Sequence, residues 1–386
     1  MQFDLVVVGG GAVGASLARA VRGLSVALVA GVRPVSLTPA DEACEGRVYA
    51  LSPGSVAFLR EIRAWDAMPP ERLTPVYAMR VCGDDGAASM TFDAYDAGVP
   101  ELAWIVEDRV LQDALWRTLG TQDDLEIFAP ASCAALELGA AARLTLADGR
   151  TIDAALVVGA DGAGSFIRSA AGIAAPETPY GQTAVVANFA CERAHGNVAF
   201  QWFKGGPILG LLPLPGNRVS MVWSVPPERA AGLMALDPEA LGREVSEASN
   251  RALGELTALC SPQAYPLRRI TADRMVLPRL ALAGDAAHVV HPLAGQGLNL
   301  GFQDARSLAA IVTGRAPVYG PGDIRLLRQY ERERSEAILA MRAAVNGLHS
   351  LFGASGRTAR EVRNTGLNFV DRLPVLKNAL LRHALH

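Results

Sequence analysis

The sequence is short of charge, of cysteine and of long apolar runs. Only 19% of its 386 residues are charged and the formal net charge is −3, so the balance gives no reason to expect a nucleic-acid partner. Cys44, Cys82, Cys133, Cys191 and Cys260 are scattered, and no C-x-x-C occurs. Neither a disulfide framework nor a dithiol redox centre is indicated, and five isolated thiols fit a reducing cytoplasm. The longest uncharged stretch, residues 286–303, carries His288, His291, Gln296 and Asn299 and is too polar to span a bilayer. A basic start is missing as well: Met1-Gln2-Phe3-Asp4 puts an acid where a secretory leader wants Lys or Arg. Apolar bulk is what the chain has. Half of its residues are hydrophobic, which at this length predicts a globular protein of two packed units.

The stretch FDLVVVGGGAVGASLARAV (3–21) sets the architecture. Leu5 to Val8 read as a buried parallel strand, and Ala15 to Val21 continue as a helix. Between them Gly9, Gly11 and Gly14 give G-x-G-x-x-G, a loop that lets a pyrophosphate approach backbone at a helix N-terminus. A second strand follows at Ser25–Ala30. The acid that usually binds the adenosine ribose is absent there, because Ala30 holds its place. Arg33 follows as a candidate contact for the ribose or a phosphate.

Further along, a helix is expected from Arg47 to about Trp65, a hairpin over 75–95 and a helix over Glu107–Leu119. A hairpin over Leu144–Ile152 leads into a buried strand, Ala154–Gly159, that ends in Ala160-Asp161-Gly162. Residues 181–225 are rich in strand signals, Glu239–Leu259 reads as a helix, and a buried strand over Met275–Ala283 runs into Gly284-Asp285. The fold class is therefore α/β: a Rossmann-like nucleotide-binding domain interleaved with an antiparallel-sheet substrate domain, plus C-terminal helices. The expected boundaries are 1–72, 100–180 and 270–325 for the first, 73–99 and 181–269 for the second, and 326–386 for the helical region.

Three loops follow predicted buried strands: 9–14, 159–165 and 284–301. They should meet at the carboxyl edge of one sheet, where ligands bind. On these loops, and most specifically on HPLAGQGLNLGFQDA (291–305), the chain resembles single-component FAD-dependent aromatic hydroxylases of the para-hydroxybenzoate hydroxylase type, in their ubiquinone-biosynthesis branch. RVYALSPGS (47–55), EDRVLQDAL (107–115) and RNTGLNFVDRLPVLK (363–377) extend the resemblance over most of the chain.

The resemblance implies FAD as cofactor. It places Gly9, Gly11, Val13 and Gly14 at the adenosine diphosphate, with Arg33 near that end. Arg47 and Arg109 fall at the phosphate and ribitol, Asp161 and Gly162 in a motif for FAD and NAD(P)H, and Asp285 at the ribitol. Gly297, Leu298 and Asn299 fall beside the isoalloxazine ring, and His291, Pro292 and Gln296 at the reacting centre. The implied reaction is hydroxylation of a polyprenylated phenol with molecular oxygen, through a flavin hydroperoxide. NADPH, NADH or another reductant would be a transient electron donor. Two alternatives stay open: a hydroxylase of a small soluble aromatic compound, and a catalytically weak flavoprotein subunit of a ubiquinone-biosynthesis complex.

Other signals are weaker. His288 and His291 have metal-like spacing, but no third ligand accompanies them, so satisfied loop histidines are the expectation. Phe200, Trp202, Leu209, Leu211 and Trp223 fall largely on shared strand faces and are candidate walls for an apolar substrate exit. From Arg325 to His386 the chain holds eleven Lys or Arg against five Asp or Glu, a local +6 that leaves −9 for the remainder. Such a basic, amphipathic tail would either dock on its own domain or rest on an anionic membrane. The expected location is the cytoplasm, with peripheral contact at the inner face of the membrane left open.

Overall fold

The computed structural model describes residues 1–37, 47–83, 89–291 and 296–353, with side chains to residue 339. The chain opens with β1 (Gln2–Val8), α1 (Ala12–Ala20), β2 (Val26–Val29), β3 (Val48–Leu51) and α2 (Pro53–Glu61). Then come β4 (Thr74–Val76), β5 (Ala78–Cys82), β6 (Ser89–Asp93), α3 (Ala94–Ala97), β7 (Ala103–Glu107) and α4 (Asp108–Leu119). Four strands follow, β8 (Leu125–Phe128), β9 (Cys133–Leu138), β10 (Ala142–Leu146) and β11 (Thr151–Gly159), before the short α5 (Phe166–Ala170). The long β12 (Glu177–Cys191) is followed by a meander of β13 (Val198–Phe203), β14 (Ile208–Leu214) and β15 (Arg218–Val225), whose last strand pairs back with β12. After it lie α6 (Pro227–Met234), α7 (Pro238–Ala248), β16 (Leu256–Ala258) and β17 (Gln263–Thr271). The chain then returns through β18 (Val276–Leu277), β19 (Leu280–Leu282) and β20 (His288–Val289) to α8 (Gln296–Thr313) and α9 (Ile324–Gly353).

Two large sheets and one small one result. The first has the order β18-β19-β11-β1-β2-β8, with β10 and β9 added beside β11. Its pairs β19–β11, β11–β1, β1–β2 and β2–β8 are parallel. The apolar runs of β1, β2, β11 and β19 are buried on both faces, as a helix-covered parallel sheet requires, while the edge strand β8 exposes Glu126. The second has the order β20-β17-β12-β15-β14-β13-β5-β6 and is antiparallel except between β13 and β5. A third, antiparallel sheet of order β3-β7-β4 lies against it through Ile105, Val76 and Leu214.

Several boundaries differ from the sequence reading. Residues 48–51 form a strand rather than the start of a helix, because Val48 and Tyr49 pair with β7. The helix begins only at Pro53, after Ser52 accepts the Ser55 N–H at 3.3 Å as its N-cap. Thr74–Val76 joins the small sheet, so the hairpin is β5–β6, and its Asp84–Gly86 tip lies outside the described residues. The helix expected to reach Leu259 stops at Ala248, where Asn250, Arg251 and Gly254 take positive φ. The strand expected over 275–283 is a hairpin, turned by Arg279 at φ 66°. The first turns of α9 dock on the parallel sheet: the Tyr330 hydroxyl donates to Leu282 O at 2.8 Å, and Glu331 accepts the Met275 N–H at 2.7 Å. The apolar clusters of the tail beyond residue 353 lie outside the described residues.

Candidate active site

The strands that precede the three glycine loops, β1, β11 and β19, are neighbours in the parallel sheet. Their carboxyl ends therefore bring residues 9–14, 160–165 and 283–287 to one edge. Gly9 has φ 116°, and a Cβ there would lie 2.2 Å from Ala160 O, so the first loop packs directly on the second. A Cβ on Gly14 would lie 1.9 Å from Gly9 O, which fixes the close approach of α1 to the strand. Gly11 behaves differently. It is exposed, and a Cβ there would meet nothing within 4 Å. It is also the N-cap of α1, with no side-chain cap and no acid in the first turn. The free amides and the open space fit an anion at this helix end. Val13 reaches across to the third loop, 3.1 Å from where a Gly284 Cβ would stand.

The second loop is tied to the third. Asp161 accepts the Ser165 hydroxyl and the Ile167 N–H (3.1 Å), so its carboxylate caps α5. Arg168 donates to Ala163 O at 2.7 Å and to Ala286 O at 2.9 Å, bridging the two loops from below. Gly162 stands open at φ 80°. The spacing of Ser165 and Arg168 around the loop is visible in the sequence, but Arg168's long-range partner is not.

In the third loop Asp285 is reached by water but sunk among protein atoms. That burial pushes its carboxyl pKa up, against the pull of His288 and Arg47. Arg47 lies at the start of β3, and its carbonyl accepts the Asp108 N–H at 3.2 Å. This contact brings Arg47 and Arg109, on the first turn of α4, into one corner. The Arg47 guanidinium lies 5.3 Å from the Tyr49 ring. Burial lowers its affinity for a proton, but Tyr49, Asp108 and Asp285 more than reverse this and leave the pKa raised. The Tyr49 hydroxyl is itself held protonated, first by burial and, against the pull of Arg47, by the nearby Asp108 carboxylate. Tyr49 and Asp108 were not singled out from the sequence, although both lie inside the segments that carried the resemblance.

Behind the third loop, Asp304 of α8 is completely buried. It accepts the Gly284 N–H (2.9 Å), bonds His288 Nε2 (2.6 Å) and accepts Arg334 Nε–H from α9 (2.6 Å). Burial alone would raise its pKa, but His288 and Arg334 hold it below the usual carboxylate range. His291, also buried, bonds Gln182 Oε1 at 3.2 Å and meets the edge of Tyr180. Both histidines thus have carboxylate or amide partners, and among the described residues no cluster of His, Cys, Asp and Glu could hold a metal ion.

Gln296, Gly297 and Leu298 form the half-exposed first turn of α8, while Pro292 lies outside the described residues. The Asn299 side chain is turned inward. Its Oδ1 accepts Ser52 N–H (3.0 Å) and Ser55 Oγ–H (2.7 Å), and its Nδ2 donates to Ala50 O (2.9 Å). It locks the start of α8 to β3 and α2.

At the adenosine end, Ala30 is buried under Gly10 and Trp116, whose indole N–H donates to Gly10 O at 2.9 Å. Arg33 stacks over that indole at 5.9 Å, beside the first loop.

The candidate exit walls need correction. Phe200, Trp202, Leu209, Leu211 and Trp223 do share one face of the antiparallel sheet, but that face is buried against α6 and α7 as core. Phe203 packs with Val81, Met90 and Ile208 in a second cluster. The alternation holds, but the face on which it puts these residues is core. The bulkiest side chains went where helices cover them.

Residues 2–344 match the family model described as an FAD binding domain. The chain belongs to that family and is an FAD-dependent aromatic-ring monooxygenase; the open Gly11 amides and the sunken Asp285 fit the cofactor. Within it, the chain belongs to the branch of the ubiquinone-biosynthesis hydroxylases. It is 36% identical over 388 residues to ubiquinone hydroxylase UbiL of Rhodospirillum rubrum, covering 99% of this chain and 89% of that one. It is 34% identical to 3-demethoxyubiquinol 3-hydroxylase of Escherichia coli, covering 99% and 98%. Solved structures share the fold. Pseudomonas aeruginosa PqsL in complex with 2-aminobenzoylacetate has a TM-score of 0.78 at 22% identity, covering 96% of this chain and 100% of that one. The p-nitrophenol 4-monooxygenase PnpA of Pseudomonas putida has 0.79 at 18% identity, covering 99% and 98%.

Proposed function

We propose that this protein hydroxylates the aromatic ring of a polyprenylated phenol on the route to ubiquinone, using molecular oxygen and a transiently bound NAD(P)H. The observation that carries this reading is the match to two ubiquinone-pathway hydroxylases over 99% of the chain. Bound FAD supplies the redox chemistry that activates oxygen. The chain does the rest. Gly9, Gly11, Val13 and Gly14 hold the pyrophosphate, and Arg33 takes the adenosine end that Ala30 leaves without an acid. Arg47 and Arg109 hold the phosphate and ribitol from one corner, and Asp285 accepts a ribitol hydroxyl. Asp161 and Gly162 shape the loop that a nicotinamide donor shares with FAD. Gly297, Leu298 and Asn299 place the start of α8 beside the flavin ring, and its N-terminus stabilises negative charge there. His291 and Gln296 face the reacting centre and exclude water from it, with Pro292 next to His291 in the sequence.

The FAD-binding unit comprises 1–72, 100–180 and 270–325, and the substrate unit 73–99 and 181–269, with the C-terminal region 326–386 following. Docking of the tail on a membrane surface would deliver a substrate dissolved in lipid. Steady-state assays on prenylated phenols and on small aromatic acids test the reading. Turnover of the prenylated phenols, coupled to reductant oxidation, is expected. Faster coupled turnover of para-hydroxybenzoate or salicylate would give the small-substrate reading instead, and no turnover of either would leave a scaffold subunit.

A further inference from the structure

The middle of the antiparallel sheet, β13 to β15, has one open place on the face that α6 and α7 leave uncovered. Within β13, β14 and β15, strand ends aside, only Gln201, Gly210, Leu212 and Val222 are half-exposed; their neighbours are buried. All four lie on one face, opposite to Trp202, Leu211 and Trp223. The register sets Gln201 against Gly210 and Gly210 against Val222, so the four make one patch in the middle of the sheet. On one side the patch meets the cluster of Ile105 and Leu214, on the other that of Phe203 and Ile208.

Gly210 is the odd residue in this row. Its φ is not in the left-handed region. A Cβ would meet Val222 O at 3.6 Å and Phe200 O at 4.0 Å, which is ordinary contact. Neither conformation nor close packing requires glycine here, and glycine inside a strand costs stability. What it leaves is space above the centre of a sheet. The space is bordered by both segments of the site. Leu212 packs on the cluster of Val76, Ile105, Ala199 and Leu214, as do Val48 and Ala50 of β3, and Ala50 O is held by Asn299 of α8. At the near end of β14, Gln182 donates to Gly206 O at 3.0 Å and bonds His291. The patch itself is uncharged, apolar at Leu212 and Val222, with one amide at Gln201.

We propose that Gly210 is a specificity-determining residue: the side chain it lacks makes room on the sheet for the neutral aromatic ring of the substrate, with the Gln201 amide bonding a ring oxygen. The inference rests on the hydroxylase reading above and names the surface that reading needs. A surface without charge favours a phenol over a carboxylate, whose buried charge would go unpaired.

The test compares wild type, Gly210→Ala and Gly210→Leu as FAD-loaded proteins. Substrate affinity is read from the perturbation of the flavin spectrum by a short-chain prenylated phenol, and KM and kcat are measured separately. Filling the space should raise KM in the order Gly, Ala, Leu, by about tenfold or more at Leu, on the scale of added methylenes in a pocket. FAD affinity should stay unchanged. A Gly210→Leu protein that keeps FAD with a KM within about twofold of wild type would overturn the proposal, since a single added methylene in a pocket already moves affinity further. If that variant does not fold, an unchanged KM in Gly210→Ala would do the same. Wild-type protein whose flavin spectrum responds to no phenol would overturn the hydroxylase reading itself, a failure visible before any variant is compared.

Discussion

Asp285 is a carboxylate placed where it is unfavourable for the free protein. Burial raises its pKa above the ordinary value, and Arg47 and His288 only partly offset this. A raised folded pKa means that stability is present below the unfolded value, about 4, and is lost as pH rises through the folded one. Asp285→Asn should therefore raise the melting temperature of the FAD-free protein at pH 7, though only slightly because the side chain is exposed to water, and give no gain near pH 3. The same variant should hold FAD about tenfold or more weakly, for a lost charged hydrogen bond of roughly 1–3 kcal/mol. Thermal melts at the two pH values and a fluorescence titration with FAD check both halves; unchanged FAD affinity would remove Asp285 from the cofactor site. The Gly-Asp pair is legible in the sequence because it follows an apolar run. The corner of Arg47, Tyr49 and Asp108 is only half legible, since it forms when β3 pairs with β7 across sixty residues of chain.

Elements are joined by one buried carboxylate. Asp304 connects α8, α9 and the Gly284 loop, and its partner Arg334 stands thirty residues away on another helix. Asp304→Ala would leave Arg334 buried without a counter-charge, and should cost about 3–5 kcal/mol in denaturant unfolding. Because the folded pKa of Asp304 is depressed, its contribution is present above about pH 4 and is lost as pH falls through the lower folded value. A loss below about 1 kcal/mol would show that Arg334 is not left uncompensated when Asp304 is gone. Strand–loop–helix order was readable here because buried parallel strands are continuous apolar runs. The ends were not. Ser52-Pro53 starts α2 through a cap, and Asn250 and Arg251 end the α7 region in left-handed backbone, both local choices that hydrophobic periodicity does not register. Which face of β13–β15 is core was equally hidden, since alternation separates two faces without saying which one the helices cover.

At the scale of the whole molecule, the parallel sheet gathers three loops while the antiparallel sheet lies beyond them, joined through β3, His291 and Gln182. No helix among the described residues is long and apolar enough to cross a membrane. The +6 balance over 325–386 predicts instead that the protein binds vesicles more tightly as anionic lipid increases and releases them as salt rises. Flotation with and without salt checks this, and absence of binding at every salt concentration would assign the tail wholly to docking on its own sheet, as the first turns of α9 already do. The central claim is that FAD held by these loops delivers oxygen to the ring of a prenylated phenol. Its most direct measurement uses the FAD-loaded protein with NAD(P)H, oxygen-18-labelled dioxygen and a short-chain prenylated phenol, with the product analysed by mass spectrometry. The account predicts one labelled oxygen atom on the aromatic ring, and none when FAD has been removed. A reductant that is consumed with no label in the ring, or a hydroxyl that carries oxygen from water, would contradict it.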